Sequence, residues 1–296
     1  MSENKKTKVG VVGLGKMGSA LAGNLLSRGY DLHLYNRSAD KARDLKSKGA
    51  IFHSTPLELG KAVDIAITSL TDDKAVEQVV MGQNGLLRGL KKGSLWIDAS
   101  TIDPDASVKH ANECLELGVE RLDVPVTGSP DRALQGKLIL FVGGSQGVFS
   151  KHEGFLSELG TPLYLGADGN GHKMKLLINL YLGTISLAFA EGMVFAQKLG
   201  FEPQVFVETL NKTSHKSSFT ENKGPKVARG EFSPTFTLNN MLKDIRLADS
   251  QARKIGAVLP AASLVTQLFA TASNVGEGDK DFSAIALEIQ RANGLE

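Results

Sequence analysis

A Rossmann-type α/β fold, a doubly wound and mainly parallel sheet followed by a second, all-α domain, is what the 296-residue chain predicts. Three observations lead there. Short apolar runs alternate with helical segments up to about residue 165, helical periodicity alone continues beyond it, and Gly13-Leu14-Gly15-Lys16-Met17-Gly18 lies where the first strand meets the first helix. Alternation implies parallel pairing, because consecutive parallel strands need a crossover and the helix supplies it. The length is about twice that of a common domain, so two are expected, 1–165 and 166–296.

The strand candidates are the short runs 8–12, 32–35, 64–69, 94–98, 119–124 and 138–142. Between them, 17–28, 40–47, 73–80 and 103–117 suit amphipathic helices, with Ser38 and Asp103-Pro104 as opening signals. From residue 166 onward, helices are expected over 173–199, 203–210, 238–255 and 259–273, with Gly169-Asn170-Gly171 as a hinge before the first. Residues 176–196 are apolar almost throughout and long enough to span a bilayer. Asn179, Thr184, Ser186 and Glu191 interrupt that stretch and no second one follows, so it reads as the central helix of a large core.

Composition bounds the function. At 42% hydrophobic and 22% charged residues the chain can bury a core and does not read as disordered. A net charge of +2 is far from a nucleic-acid-binding footprint, so neither nucleic acid nor membrane is expected as a partner. A single cysteine, Cys114, fits a reducing compartment, and the polar start MSENKKTK carries no signal-peptide pattern, so a cytoplasmic location is expected. The histidines at 33, 53, 110, 152, 172 and 215 include no pair at metal-ligand helical spacing, and no metal site is expected; His172 reads as a surface residue. No G-x-S-x-G elbow supports a serine hydrolase.

Gly13-x-Gly15-x-x-Gly18 after an apolar strand and before a helix has the context of a dinucleotide cradle. Glycines close the turn, let the pyrophosphate approach and let helix and strand pack, while the helix amino terminus offers unpaired N–H groups to the phosphates. The end of the second strand chooses the nucleotide. NAD enzymes commonly place a carboxylate there for the ribose 2′-hydroxyl, whereas this chain has Asn36-Arg37-Ser38. A carboxylate would repel a 2′-phosphate and an arginine fork binds one, so NADP is the expected cofactor and NAD the weaker one.

Four motifs occur in order: Gly13-x-Gly15-x-Met17-Gly18, then Asp123-Val-Pro-Val-Thr-Gly128, then Gly171-x-x-x-Lys175-x-x-x-Asn179, then Lys243-Asp244. Together they cover essentially the whole chain, and in this combination the chain resembles the β-hydroxyacid dehydrogenases. That family includes 3-hydroxyisobutyrate dehydrogenases, glyoxylate/succinic semialdehyde reductases, tartronate semialdehyde reductases and, more distantly, 6-phosphogluconate dehydrogenases. The resemblance implies that Leu14, Lys16, Leu70-Thr71 and Ser100-Thr101 join the glycines along the cofactor, with Thr71 in place of a common proline. It implies that Thr127, Gly128 and Ser129 hold a substrate carboxylate where the family commonly has Ser-Gly-Gly. Ser129 and Arg132 stand where glycines are usual; Ser129 adds a hydroxyl, and Arg132 either adds charge or faces solvent.

Lys175 and Asn179 are four residues apart, hence on one helix face. An amine in an apolar helix is costly unless it snorkels or has a use, and burial would make it a proton carrier near neutral pH. The resemblance implies that Lys175 is the general acid/base and that Asn179 orients it and the substrate; the alternative is a charged rim formed with Lys173. It further implies that Lys243 serves both cofactor and substrate, with local pairing to Asp244 as its alternative, and that Phe236 and Asp281-Phe282-Ser283 lie close by. The expected function is NADP-dependent hydride transfer to or from a small carboxylate-bearing hydroxy acid or semialdehyde, of the glyoxylate/succinic semialdehyde reductase kind. Alternatives are 3-hydroxyisobutyrate or another β-hydroxyacid and, in a different class, a non-catalytic NADP-binding scaffold. The exposed apolar stripe of a long helix and the resemblance together imply a homodimer or homotetramer.

Overall fold

The computed structural model describes residues 7–295. The chain divides into two compact units, one ending at Lys175 and the other running from Leu176. Among the described residues the first contains nine strands: β1 (Lys8–Val12), β2 (Asp31–Tyr35), β3 (Ile51–Phe52), β4 (Ile65–Thr68), β5 (Leu95–Asp98), β6 (Glu120–Asp123), β7 (Val126–Thr127), β8 (Leu138–Gly144) and β9 (Gly160–Tyr164). Their order is β3-β2-β1-β4-β5-β6-β8-β7, with β9 beside β8. The pairs among β1 to β6 are all parallel; β8 opposes β6 and β7, and β9 runs parallel to β8. The order 3-2-1-4-5-6 is the dinucleotide-binding arrangement, and its reversal between β1 and β4 opens the crevice where ligands of such sheets bind.

The helices of this unit are α1 (Lys16–Ser27), α2 (Arg43–Ser47), α3 (Pro56–Ala62), α4 (Asp73–Val76), α5 (Pro104–Leu117), α6 (Pro130–Leu134) and α7 (Gln146–Leu159). Strand alternation assigns them to two faces. Val9, Val11, Ile67 and Ile97 pack with Leu21 and Leu25 of α1 and Leu156 of α7, while Val12, Ala66 and Trp96 pack with Leu59 of α3 and Cys114 of α5. Local chemistry sets the ends. Thr55 and Asp103 accept backbone N–H bonds ahead of Pro56 and Pro104, and Gly118 closes α5 in the left-handed conformation. Ser38 occupies a cap position but its side chain accepts no capping bond. The expected helix 73–80 is shorter as α-helix, because Glu77–Met81 continues as a π turn.

The helix α8 (Asn170–Lys198) begins in the first unit and continues into the second. The second unit adds α9 (Pro203–Lys212), α10 (Ser218–Asn222), α11 (Gly224–Ala228), α12 (Leu238–Lys254), α13 (Pro260–Ala272) and α14 (Ile285–Ala292). Phe189, Ala190, Met193 and Val194 of α8 pack there with Met241, Ile245, Phe269 and Ile285. By length and composition α8 passes as a membrane span, as the central helix of a helical core also does, and Tyr181 and Phe195 on it are exposed. Gly169-Asn170-Gly171, expected as a hinge, is a tight packing point. Asn170 already starts the helix, and a Cβ on Gly171 would run into the Phe141 carbonyl and the Asp123 carboxylate.

Candidate active site

At the carboxyl ends of β1 and β4 the glycine loop is shaped by its surroundings. Gly13 has φ +95°, and a Cβ there would strike the Ser69 carbonyl; a Cβ on Gly18 would strike the Gly13 carbonyl. Gly15 is different: nothing lies within 4 Å of where its Cβ would be. That open space, at the amino terminus of a helix with no side-chain cap and no acid in its first turn, fits a pyrophosphate. Lys16 is exposed and Met17 half-buried beside it, and Leu14 is buried.

Neighbouring loops brace the cradle. Asn36 Oδ1 accepts from Leu14 N at 2.9 Å and Asn36 Nδ2 donates to the Ser38 carbonyl at 2.9 Å, so this side chain ties the glycine loop to the end of β2. Arg37 and Ser38 are exposed beyond it. After β4, Leu70 N donates to Ser100 Oγ at 3.0 Å, joining two more of the expected cofactor residues, with Thr71 exposed and Thr101 half-buried next to them.

Beneath Ser100 lies a buried polar cluster that the sequence reading left without a role. Asp98 Oδ1 accepts from Thr68 Oγ1 at 2.9 Å and from Ser100 N at 3.1 Å, and Trp96 Nε1 donates to Thr68 Oγ1 at 3.0 Å. The Arg121 guanidinium stacks 4.8 Å from the Trp96 ring and sits 3.7 Å from Asp98, 3.8 Å from Asp123 and 3.6 Å from Asp168. His172 is fully buried, which corrects its expected surface placement. Its ring lies 3.3 Å from Asp123 and 3.9 Å from Asp98. Burial works to raise the Asp123 carboxyl, but the His172 bond and charge, Arg121 and the Gly169 N–H outweigh it and hold the group at about 2. Asp168, by contrast, is raised by burial.

Asp123 also fixes the start of α8, accepting from Gly169 N at 2.8 Å and His172 N at 3.2 Å. Lys175 follows one turn later and is buried, 9% exposed. The signal for this cluster was present. A β6 strand flanked on both sides should be apolar throughout, and Glu120-Arg121-Leu122-Asp123 carries charges where side chains are buried.

Thr127 ends β7, Gly128 has φ +137°, and Ser129 caps α6 with its Oγ accepting from Arg132 N at 3.3 Å. The Ser129 hydroxyl is thereby engaged as an acceptor with its hydrogen left to donate, and Arg132 is exposed. In the second unit, Asn179 Nδ2 donates to Asp244 Oδ2 at 2.5 Å, and Lys243 Nζ is 2.7 Å from Asp244 Oδ1. Asp244 is 1% exposed, so one buried carboxylate links two expected site residues. The sequence reading had given it only a local pairing role. Phe236 is half-buried against Phe282, with ring centroids 6.2 Å apart. Asp281 is held by Lys223, Thr235 and Ser283. Among the described residues no group of three or more His, Cys, Asp or Glu could hold a metal ion.

Residues 8–168 match the NAD binding domain of 6-phosphogluconate dehydrogenase, and residues 169–289 match the NAD-binding domain of NADP-dependent 3-hydroxyisobutyrate dehydrogenase. A glyoxylate/succinic semialdehyde reductase of Arabidopsis thaliana is 32% identical over 97% of this chain and 81% of its own length. The chain belongs to the β-hydroxyacid dehydrogenase family. As a β-hydroxyacid dehydrogenase it is an NAD(P)-dependent oxidoreductase. A crystal structure of a 3-hydroxyisobutyrate dehydrogenase from Salmonella typhimurium superposes on this family member with TM-score 0.88 and 27% identity, covering 95% of this chain and 99% of the other. The cytokine-like nuclear factor N-PAC of Xenopus tropicalis is 32% identical over 94% of this chain, which spans 52% of that longer relative.

Proposed function

We propose that this β-hydroxyacid dehydrogenase is an NADP-preferring reductase of a small semialdehyde or 2-oxo acid, of the glyoxylate/succinic semialdehyde kind, with Lys175 as its proton donor. The observation that carries the reading is the buried amine of Lys175, set one turn beyond a helix start anchored by Asp123. Burial favours the neutral form of an amine and so readies its ammonium to give up a proton, and reducing a carbonyl requires a proton at the oxygen.

NADPH, when bound, supplies the hydride. Gly13 to Gly18 and the amino terminus of α1 hold its pyrophosphate, and Arg37 with Ser38 takes the 2′-phosphate, for which Arg37 has the right charge and fork. Thr127, Gly128 and Ser129 bind the substrate carboxylate through backbone N–H groups and hydroxyls. The Lys175 ammonium gives one proton to the carbonyl oxygen as carbon is reduced, so aldehyde plus NADPH plus proton becomes alcohol plus NADP⁺. Asn179 orients the substrate, its carboxamide fixed by Asp244, and the cation of Lys243 steadies the anionic end of the reacting pair.

Purified protein assayed for NADPH loss with glyoxylate, succinic semialdehyde and tartronate semialdehyde tests the reading; inactivity on all three removes it. Lys175→Ala is expected to lower kcat by about 10²- to 10⁴-fold while NADPH binding survives. A scaffold that only binds nucleotide predicts unchanged background turnover instead.

A further inference from the structure

Helix α12 carries two stripes. Leu238, Met241, Ile245, Ala248 and Ala252 face the core of the helical unit. A second stripe, Asn239, Leu242, Lys243, Arg246 and Leu247, repeats at three- and four-residue spacing and, with Ser273, lines a cavity of about 430 Å³. That volume suits a small ligand. Two of the six lining residues are cations and none is a carboxylate.

The two cations differ in how they are compensated. Lys243 has Asp244 at 2.7 Å and its side chain is only 25% exposed. Arg246 is exposed; Asp244, two residues before it, is paired with Lys243, and Asp249, one turn beyond it, is engaged by Arg253 at 2.9 Å. Asn239 is anchored by Ser273 Oγ, which donates to its Oδ1 at 2.7 Å, so this part of the lining is fixed and polar. A guanidinium without a carboxylate partner, at the edge of an acid-free cavity, is matched in charge and in two-pronged geometry to a carboxylate or phosphate.

We infer that this cavity is an anion site in which Arg246, seconded by Lys243, receives a terminal carboxylate or phosphate of a bound molecule. The group has two sources that the test separates: the single carboxylate of a semialdehyde longer than glyoxylate, presented here instead of to Thr127, Gly128 and Ser129, or a phosphate of the nucleotide. The site itself stands on the cavity and its charges; its use in catalysis rests on the reductase reading above. If the source is the substrate, Arg246 makes the enzyme favour acids whose carboxylate is several bonds from the reacting carbon.

The test uses the full chain as wild type, Arg246→Gln and Arg246→Lys, with circular dichroism as the check on folding. Calorimetric titration with succinate and with inorganic phosphate is expected to show an affinity that Arg246→Gln weakens by about tenfold or more and Arg246→Lys restores in part. A matching rise in KM for succinic semialdehyde, exceeding that for glyoxylate, assigns the group to the substrate. A matching rise in the NADPH Kd assigns it to the nucleotide. Equal affinities of folded wild type and Arg246→Gln for succinate, phosphate and NADPH overturn the inference. Because the titrations need no turnover, an enzyme inactive on every semialdehyde would end the reductase reading while still deciding the anion site.

Discussion

Gly13, Gly15 and Gly18 belong to one motif, yet each is glycine for a different reason. Gly13 needs its positive φ and Gly18 a close carbonyl, whereas Gly15 keeps open space beside the helix amino terminus. The consequences separate. Gly13→Ala is expected to destabilise the protein by roughly 1–3 kcal/mol in urea denaturation, through φ strain and collision. Gly15→Ala should leave the denaturation midpoint where it is and weaken NADPH binding, measured by fluorescence titration; a Gly15→Ala protein that binds normally would mean that the open space is not the phosphate cradle. Arg37→Ala should raise KM for NADPH much more than for NADH, because only NADPH carries the 2′-phosphate, and equal effects would remove Arg37 as the reader. At this end of the molecule the strand, the glycine turn and the helix were all legible in the sequence, since they follow one another along the chain. It did not tell that Asn36 is a brace, whose two hydrogen bonds go to protein backbone.

The element that matters most is the first turn of α8. Its N–H groups would be unsatisfied without a partner, and the partner is a carboxylate from β6, Asp123, itself held ionised by His172 and Arg121. Asp123→Asn keeps an acceptor for the helix but strips the buried Arg121 guanidinium of a counter-charge. The expected loss is about 3–5 kcal/mol of stability, read from denaturation at pH 7, with a fall in kcat through displacement of Lys175. A variant as stable as wild type would show that the cluster carries no net charge coupling. Element boundaries were legible where a cap or a run of apolar residues marks them, as at β1 and α5. They were not legible for β3 and β7, which are two residues long and exist only because a neighbouring strand pairs with them. The same holds for β9, where Pro162 and Gly160 weaken the strand signal and only the pairing with β8 makes it a strand.

For the whole molecule, the buried carboxylates set the response to acid. Asp123 falls from its ordinary 3.8 to about 2, so its stabilisation is complete above about pH 4 and is lost as the pH drops toward 2, a difference of about 2 kcal/mol. Asp281, also lowered although burial opposes it, because Lys223 and Thr235 bond it, adds loss of the same sign as the pH falls below its ordinary value. Asp168, raised by burial, works the other way, since its ionised form is the disfavoured one in the fold. Thermal denaturation should therefore give a steady Tm from neutrality to about pH 4 and a steep fall below it; a Tm at pH 3 equal to that at pH 6 would contradict the charge cluster. Sequence by itself determined the alternating order of strands and helices and the glycine turn that joins β1 to α1, because each depends on residues within one or two turns of chain. Tertiary structure decided which buried charges meet. Asp98, Arg121, Asp123 and His172 converge from three elements, and Asn179 reaches Asp244 across 65 residues. Such meetings depend on strand register and helix packing, and a local pattern of apolar and polar residues specifies which face a side chain takes without specifying what will stand opposite it.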